Sequence, residues 1–162
     1  MKNILLVLTI ASLMVCCDKD NYIDSGIHEQ KHDCTVWEYF HTDRANWDSL
    51  IVMIEHAGMI KYFDGTNKDE ITILAPTNHS INQYLFQTLD DNGERLHEKV
   101  TDIPADECRE MLLSYMIHGK KFLEDFDHEV KGTQTGGTME QALSGIHLRV
   151  YRITSSFYDV PD

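Results

Sequence analysis

His28, His32 and Cys34 carry nitrogen and sulfur donors at spacings i, i+4 and i+6. Imidazole and thiolate are zinc ligands, but a structural zinc site wants four of them in fixed geometry. The two histidines share a face only on a helix, and the polar stretch around them reads as linker. No metal ligand is assigned. Of the nine histidines, His79 reads as an exposed helix-start residue. His118 reads as a helix-end residue, where positive charge is mildly favoured. Neither has an identifiable nucleophile beside it. Asp43, Asp48 and Glu55 could act as paired acids, yet 27 residues of the chain are Asp or Glu, so they read as solvated surface. Trp37, Tyr39, Phe40 and Trp47 could form a platform for stacking a sugar. Aromatic side chains chiefly contribute buried area, so core packing is the expectation. No phosphate loop, nucleophile elbow, Cys-x-x-Cys pair or His-Glu-x-x-His helix is present in the sequence. No catalytic residue and no cofactor is therefore expected.

A different chemistry is written at the start. In "MKNILLVLTIASLMVC", Lys2 precedes an uncharged apolar run from Ile4 to Val15. The run is short for a permanent span, and the pattern is that of an export signal. "LMVCCDKD" resembles the lipobox of bacterial lipoproteins. The resemblance implies cleavage after residue 16, with Cys17 as the lipidated N-terminus and the membrane as its partner. Several acyl chains anchor stably where one anchors marginally. The acidic residues that follow resemble a signal for display on the outer surface. An outer-membrane lipoprotein facing the periplasm or the cell surface is the expected location. Residues 17–33 are polar and unperiodic, and read as a tether.

With Cys16 and Cys17 assigned to processing, Cys34 and Cys108 remain. Export permits a disulfide between them. Two separate buried thiols are the other reading, and the favoured one. The formal charge of -13 argues against binding nucleic acid or anionic lipid by charge. It suits solubility, and cationic or metal-bridged partners.

The elements follow from periodicity. From Asn46 to Phe63, Leu50, Ile51, Met53, Ile54, Ala57, Met59 and Ile60 recur at helical spacing. Asp48 can cap this helix, Gly58 can end it, and "MIKYF" adds a short turn. "ITILA", Ile71 to Ala75, is a β-branched run bounded like a buried strand. Pro76 has no N–H to donate and halts it. Thr77 or Asn78 can then cap the helix "HSINQYLF". Residues 90–101 are loop-like, with "GERLHEKV" a candidate helical stretch. Pro104 suits a first helical turn, Asp106 and Glu107 its positive end, and Gly119 its stop. Met111, Leu112, Tyr115 and Met116 form that helix's apolar face. "IHLRVYRI" alternates closely enough for a strand.

The order of helix, "TILAPTN" at Thr72 to Asn78, "LLSYMIHG", and the Gly136-Gly137 turn leading into strands looks like the fasciclin domain. The resemblance covers residues 34–162. It implies an α+β fold with helices packed on a small mixed β-sheet. The family's Tyr-His element is matched only in part, by Tyr115 and a displaced His118. Its closing strands have no counterpart after "ITSSFYDVPD", so a C-terminally shortened domain is expected, with an exposed sheet edge near Ile146 to Ile153. The resemblance implies an extracellular adhesion or binding module without catalysis, its protein or glycan ligand unspecified. Pro76, Thr77 and Asn78 are its candidate contact join. An accessory lipoprotein of a surface glycan or nutrient system is the alternative, supported by the entry aromatics.

Overall fold

A computed structural model describes residues 32–130 and 133–153. The leader, Cys17, His28 and the tether up to residue 31 lie outside the described residues, as does the chain after Ile153. The chain divides between Lys31 and His32, and the described residues belong to the second unit.

The fold is α+β, with four α-helices and three antiparallel strand pairs among the described residues. Helix α1 (Val36–Thr42) starts at a capping box. Thr35 Oγ accepts from Glu38 N at 3.2 Å, and Glu38 accepts from Thr35 N at 2.8 Å. Helix α2 (Arg44–His56) is the core element, burying Leu50, Ile51, Met53 and Ile54 on one face. Each such side chain contributes about 2 kcal/mol of apolar burial. Asp43, not Asp48, caps α2, its side chain accepting from Asn46 N. Asp48 lies one turn inside the helix, 3.4 Å from Arg44. Ala57 closes α2, and Gly58 follows at φ +65. "MIKYF" makes a 3-10 turn at Ile60–Tyr62. Arg109 donates to the Ala57 carbonyl at 2.7 Å and satisfies an open acceptor at the helix end.

Strand β1 (Ile71–Ile73) pairs antiparallel with β2 (Met116–His118), Thr72 opposite Ile117. Helix α3 (Asn78–Gln87) and helix α4 (Ala105–Ser114) pack over α2 through Ile81, Leu85, Cys108 and Leu112. Strands β3 (Glu129–Val130) and β4 (Thr135–Gly136) form a second pair. Strands β5 (Thr138–Gln141) and β6 (His147–Val150) form the third, with Met139 opposite Arg149. A bridge from Ile117 to Ala142 joins the first and third pairs.

The expected mixed sheet is thus replaced by short antiparallel pairs. The sole parallel contact among the described residues is the bridge between His128 and Arg152. Helix α4 ends at Ser114, earlier than Gly119, and its apolar positions Tyr115 and Met116 do not continue it. Met116 and Ile117 become a strand and are fully buried. His118 is consequently an exposed strand residue opposite Ile71 rather than a helix end. Gly119 (φ +83) ends the strand, its N–H donating to Glu70 O at 2.8 Å. The stretch "GERLHEKV" carries a Leu89–Arg95 bridge and no α-helix. Among the described residues, no strand pairs with the outer edge of β6 along His147–Val150. Met139, Ile146 and Ile153 are exposed around it.

Candidate functional site

The strand-to-helix join is built from both sides of the fold. β1 needs a partner, and Tyr115 supplies one more rung beyond it by accepting from Leu74 N at 2.8 Å. Pro76 then lacks the N–H a further rung would need. The chain turns and α3 begins. Thr77 is the cap, its Oγ accepting from Ser80 N.

Asn78, the alternative cap, does something else. Its Oδ1 accepts from Ser49 N at 2.7 Å. Its Nδ2 donates to the carbonyls of Ala45 at 2.8 Å and Arg44 at 3.1 Å. Ala45 and Ser49 stand four residues apart in α2, where a helix bonds carbonyl to N–H. The Asn78 amide thus addresses both ends of one ladder position in the neighbouring helix. It can do so because its carboxamide offers an acceptor and two donors on one planar group. The first turn of α3 is stitched in this way to the first turns of α2.

Next to the join lies a small recess of about 50 Å³. Pro76 forms one wall. Ser80, Ile81 and Tyr84 come from α3, Met111 and Tyr115 from α4 and its end, and Met53 of α2 is the floor. A volume of this kind holds roughly three or four waters, or one branched aliphatic group. Ile81 and Met53 are buried, Tyr115 is 42% exposed and Ser80 is exposed. The Tyr84 hydroxyl donates to Glu107 Oε1 at 3.2 Å. Burial, and then this bond to a carboxylate, lift the Tyr84 phenol above its ordinary range. It is a neutral donor at physiological pH. Asp106, Glu107 and Glu110 are all exposed on α4.

A broader polar hollow of about 300 Å³ lies at Lys61, Tyr62, Thr66, Asn67 and Asp69. Thr66 and Asn67 are engaged there in local turns. Asp64 accepts from Thr66 Oγ at 2.6 Å and from Thr66 N at 2.9 Å, which holds its carboxyl below the ordinary range. Asn67 accepts from Asp69 N.

The remaining candidates are dispersed. His79 is exposed at the start of α3. Asp43 is a cap, and Glu55 is exposed on α2. Among the described residues, no three His, Cys, Asp or Glu gather to hold a metal. Trp37 and Trp47 are half-buried and packed on the core, Trp47 at 5.3 Å from Phe40.

Cys34 and Cys108 are free thiols. Cys108 is fully buried, and burial lifts its thiol above the ordinary range. Cys34 is exposed before the first cap, which corrects the expectation that both are buried. An aromatic-disulfide thiol reagent is expected to label Cys34 within the mixing phase and Cys108 only after unfolding. Cys34→Ser should abolish the fast phase. Rapid labelling of Cys108 in the native protein would contradict the buried placement.

Sequence reasoning located Pro76, Thr77 and Asn78 but missed the recess beside them. Its walls come from three helices, and no local pattern marks them. The nearest signal was Tyr115 within "LLSYMIHG". No protein-family model matches the chain, and no curated protein matches it.

Proposed function

We propose that the protein is a fasciclin-like binding or adhesion module, anchored by lipid at Cys17 on the outer membrane and without catalysis of its own. The observation that carries the binding part is the apolar recess beside Pro76, open to solvent and rimmed by Tyr84 and Tyr115. Buried apolar floors with a few polar groups at the rim are what small recognition sites are made of. Helix α3, which lines one side, is fastened through Asn78 to α2, which supplies Met53. The anchor rests on the lipobox likeness of "LMVCCDKD". The accessory-glycan reading draws on the acidic tether and the entry aromatics, and Trp37 and Trp47 are half-buried against the core.

The anchor is tested by growing cells that express the full chain with a radiolabelled fatty acid. Label is expected on the parent chain and absent from Cys17→Ser, which should also leave the membrane fraction. Equal labelling of the two would sink the anchor.

A further inference from the structure

We propose that the recess between α3 and α4 receives an apolar side chain from a basic, extended peptide segment of a partner protein. The proposal rests on the binding-module reading and names its partner class. Shape and charge argue for it separately.

Shape comes first. The floor of Met53 and Ile81 is apolar, and Pro76 and Met111 continue it at the sides. A space of about 50 Å³ suits a small aliphatic side chain such as leucine, valine or proline. The Tyr84 and Tyr115 rings offer flat, rigid contact area at small cost in side-chain entropy. Ser80 leaves the mouth low on the α3 side.

Charge selects the partner. Glu107 stands at the recess, accepting from the Tyr84 hydroxyl at 3.2 Å, and Asp106 and Glu110 are exposed on the same helix. Three cations of the same unit are engaged with other partners. Arg109 is turned to the Ala57 carbonyl, Arg95 stands 3.4 Å from Glu98 and over the Phe86 ring, and Lys99 lies 4.0 Å from Asp102. Among the described residues, no Lys or Arg pairs with Asp106, Glu107 or Glu110, and none lines the recess. The mouth is therefore negative, within a chain whose formal charge is -13. An acidic peptide or an anionic lipid surface is repelled, and a segment with Lys or Arg flanking an apolar residue is drawn in.

The test uses the full chain, purified in detergent, and three fluorescein-labelled heptapeptides read by anisotropy. The first carries Lys and Arg on both sides of a Leu-Pro pair. The second keeps the cations and replaces Leu-Pro by Gly-Ser. The third keeps Leu-Pro between glutamates. Only the first is expected to bind well, about tenfold or more tighter than the other two in low salt. Raising salt to 0.5 M should weaken it, because exposed charges are then screened within a few ångströms.

Ser80→Trp should plug the mouth and abolish binding. Glu107→Gln with Glu110→Gln keeps side-chain shape, removes two charges and should weaken binding by about tenfold. Circular dichroism melts confirm that both variants are folded; should Ser80→Trp not fold, the Gln pair carries the comparison. Equal binding of the first two peptides overturns the role of the recess. Equal binding of the first and third overturns the role of charge, and unchanged binding by a folded Ser80→Trp overturns the site. Failure of the peptides with fatty-acid labelling intact would remove this inference and leave the anchor standing, whereas lost labelling with peptide binding retained would do the reverse.

Discussion

Asn78→Ala lowers the stability of the domain by about 2 kcal/mol, roughly twice the loss caused by Thr77→Ala. The expectation follows from counting what each side chain holds. Thr77 makes one capping bond, to Ser80 N, and an exposed contact with the Ser80 hydroxyl, and losing a cap costs about 1 kcal/mol. Asn78 makes three bonds to a different helix, to Ser49 N, Ala45 O and Arg44 O. Each is worth about 1 kcal/mol net. Part of that returns because the exposed carbonyls can turn to water in the alanine variant, which leaves about 2 kcal/mol. Asn78→Asp is the informative companion. It keeps the acceptor for Ser49 N and loses both donors, so its carboxylate faces two carbonyl oxygens. It should be no more stable than Asn78→Ala at neutral pH. Urea unfolding followed by circular dichroism measures all three. A loss from Asn78→Ala no larger than that from Thr77→Ala would mean that the amide does not fasten α3 to α2.

The same loss has a functional corollary. Pro76, Ser80, Ile81 and Tyr84 stand on one side of the recess and Met53 of α2 is its floor. Loosening α3 from α2 widens the space those residues define. A peptide that fits the recess should lose affinity in Asn78→Ala even under conditions where the domain remains folded. Thr77→Ala, which frays the helix end without releasing its contact to α2, should lose less. Stability and recognition are thus coupled through one carboxamide.

How much of this could be read beforehand depends on the range of the interaction. The apolar spacing of Leu50, Ile51, Met53, Ile54 and Ala57 is local, and it marks α2 without help. Pro76 is equally legible, because a missing N–H stops a strand wherever the strand lies. The identity of the cap was open between Thr77 and Asn78, since both side chains can accept from a free N–H. What separates them is a set of partners 29 to 34 residues earlier in the chain, and no local rule reaches that far. The sequence points to Asp48 as the cap of α2, whereas Asp43, five residues earlier, fills that role; both precede the apolar run.

The end of α4 was misread for a different reason. Met111, Leu112, Tyr115 and Met116 satisfy helical spacing, and a three-residue strand is too short to show alternation against it. Tertiary pairing decided the matter. β1 finds its antiparallel partner in Met116–His118, and burying Met116 and Ile117 there outweighs one more turn of helix. The recess was illegible because its residues are ordinary core and rim types. Only their convergence from α2, α3 and α4 makes a site.

The Gly136-Gly137 pair is the second place where a small change should have a large effect. Both residues have positive φ, +82 and +76, a region that costs a residue with a Cβ roughly 1–2 kcal/mol. Space is denied as well. A Cβ on Gly137 would stand 2.7 Å from Tyr151 Cβ and 2.8 Å from the Val150 carbonyl oxygen. One on Gly136 would stand 2.7 Å from the His128 carbonyl oxygen and 2.9 Å from Val130 N. These neighbours are backbone atoms or a Cβ, so they cannot swing aside, and relieving the overlap means parting β5 from β6 or β4 from β3. Overpacking of this kind costs typically 1–3 kcal/mol beyond the backbone term. Gly137→Ala is therefore expected to lose about 3 kcal/mol. Gly145→Ala is the control: its φ is +90 with nothing within 4 Å of the added carbon, so it isolates the backbone term, about 1–2 kcal/mol. Thermal melts of the two variants beside the parent give the difference directly. A Gly137→Ala variant as stable as Gly145→Ala would show that β5 and β6 are not held at the separation that excludes a side chain. The pair was visible in the sequence only as a turn. Its larger role is to let β3 and β6 pass close to the backbone that links β4 to β5, where Gly137 N donates to His128 O at 3.1 Å.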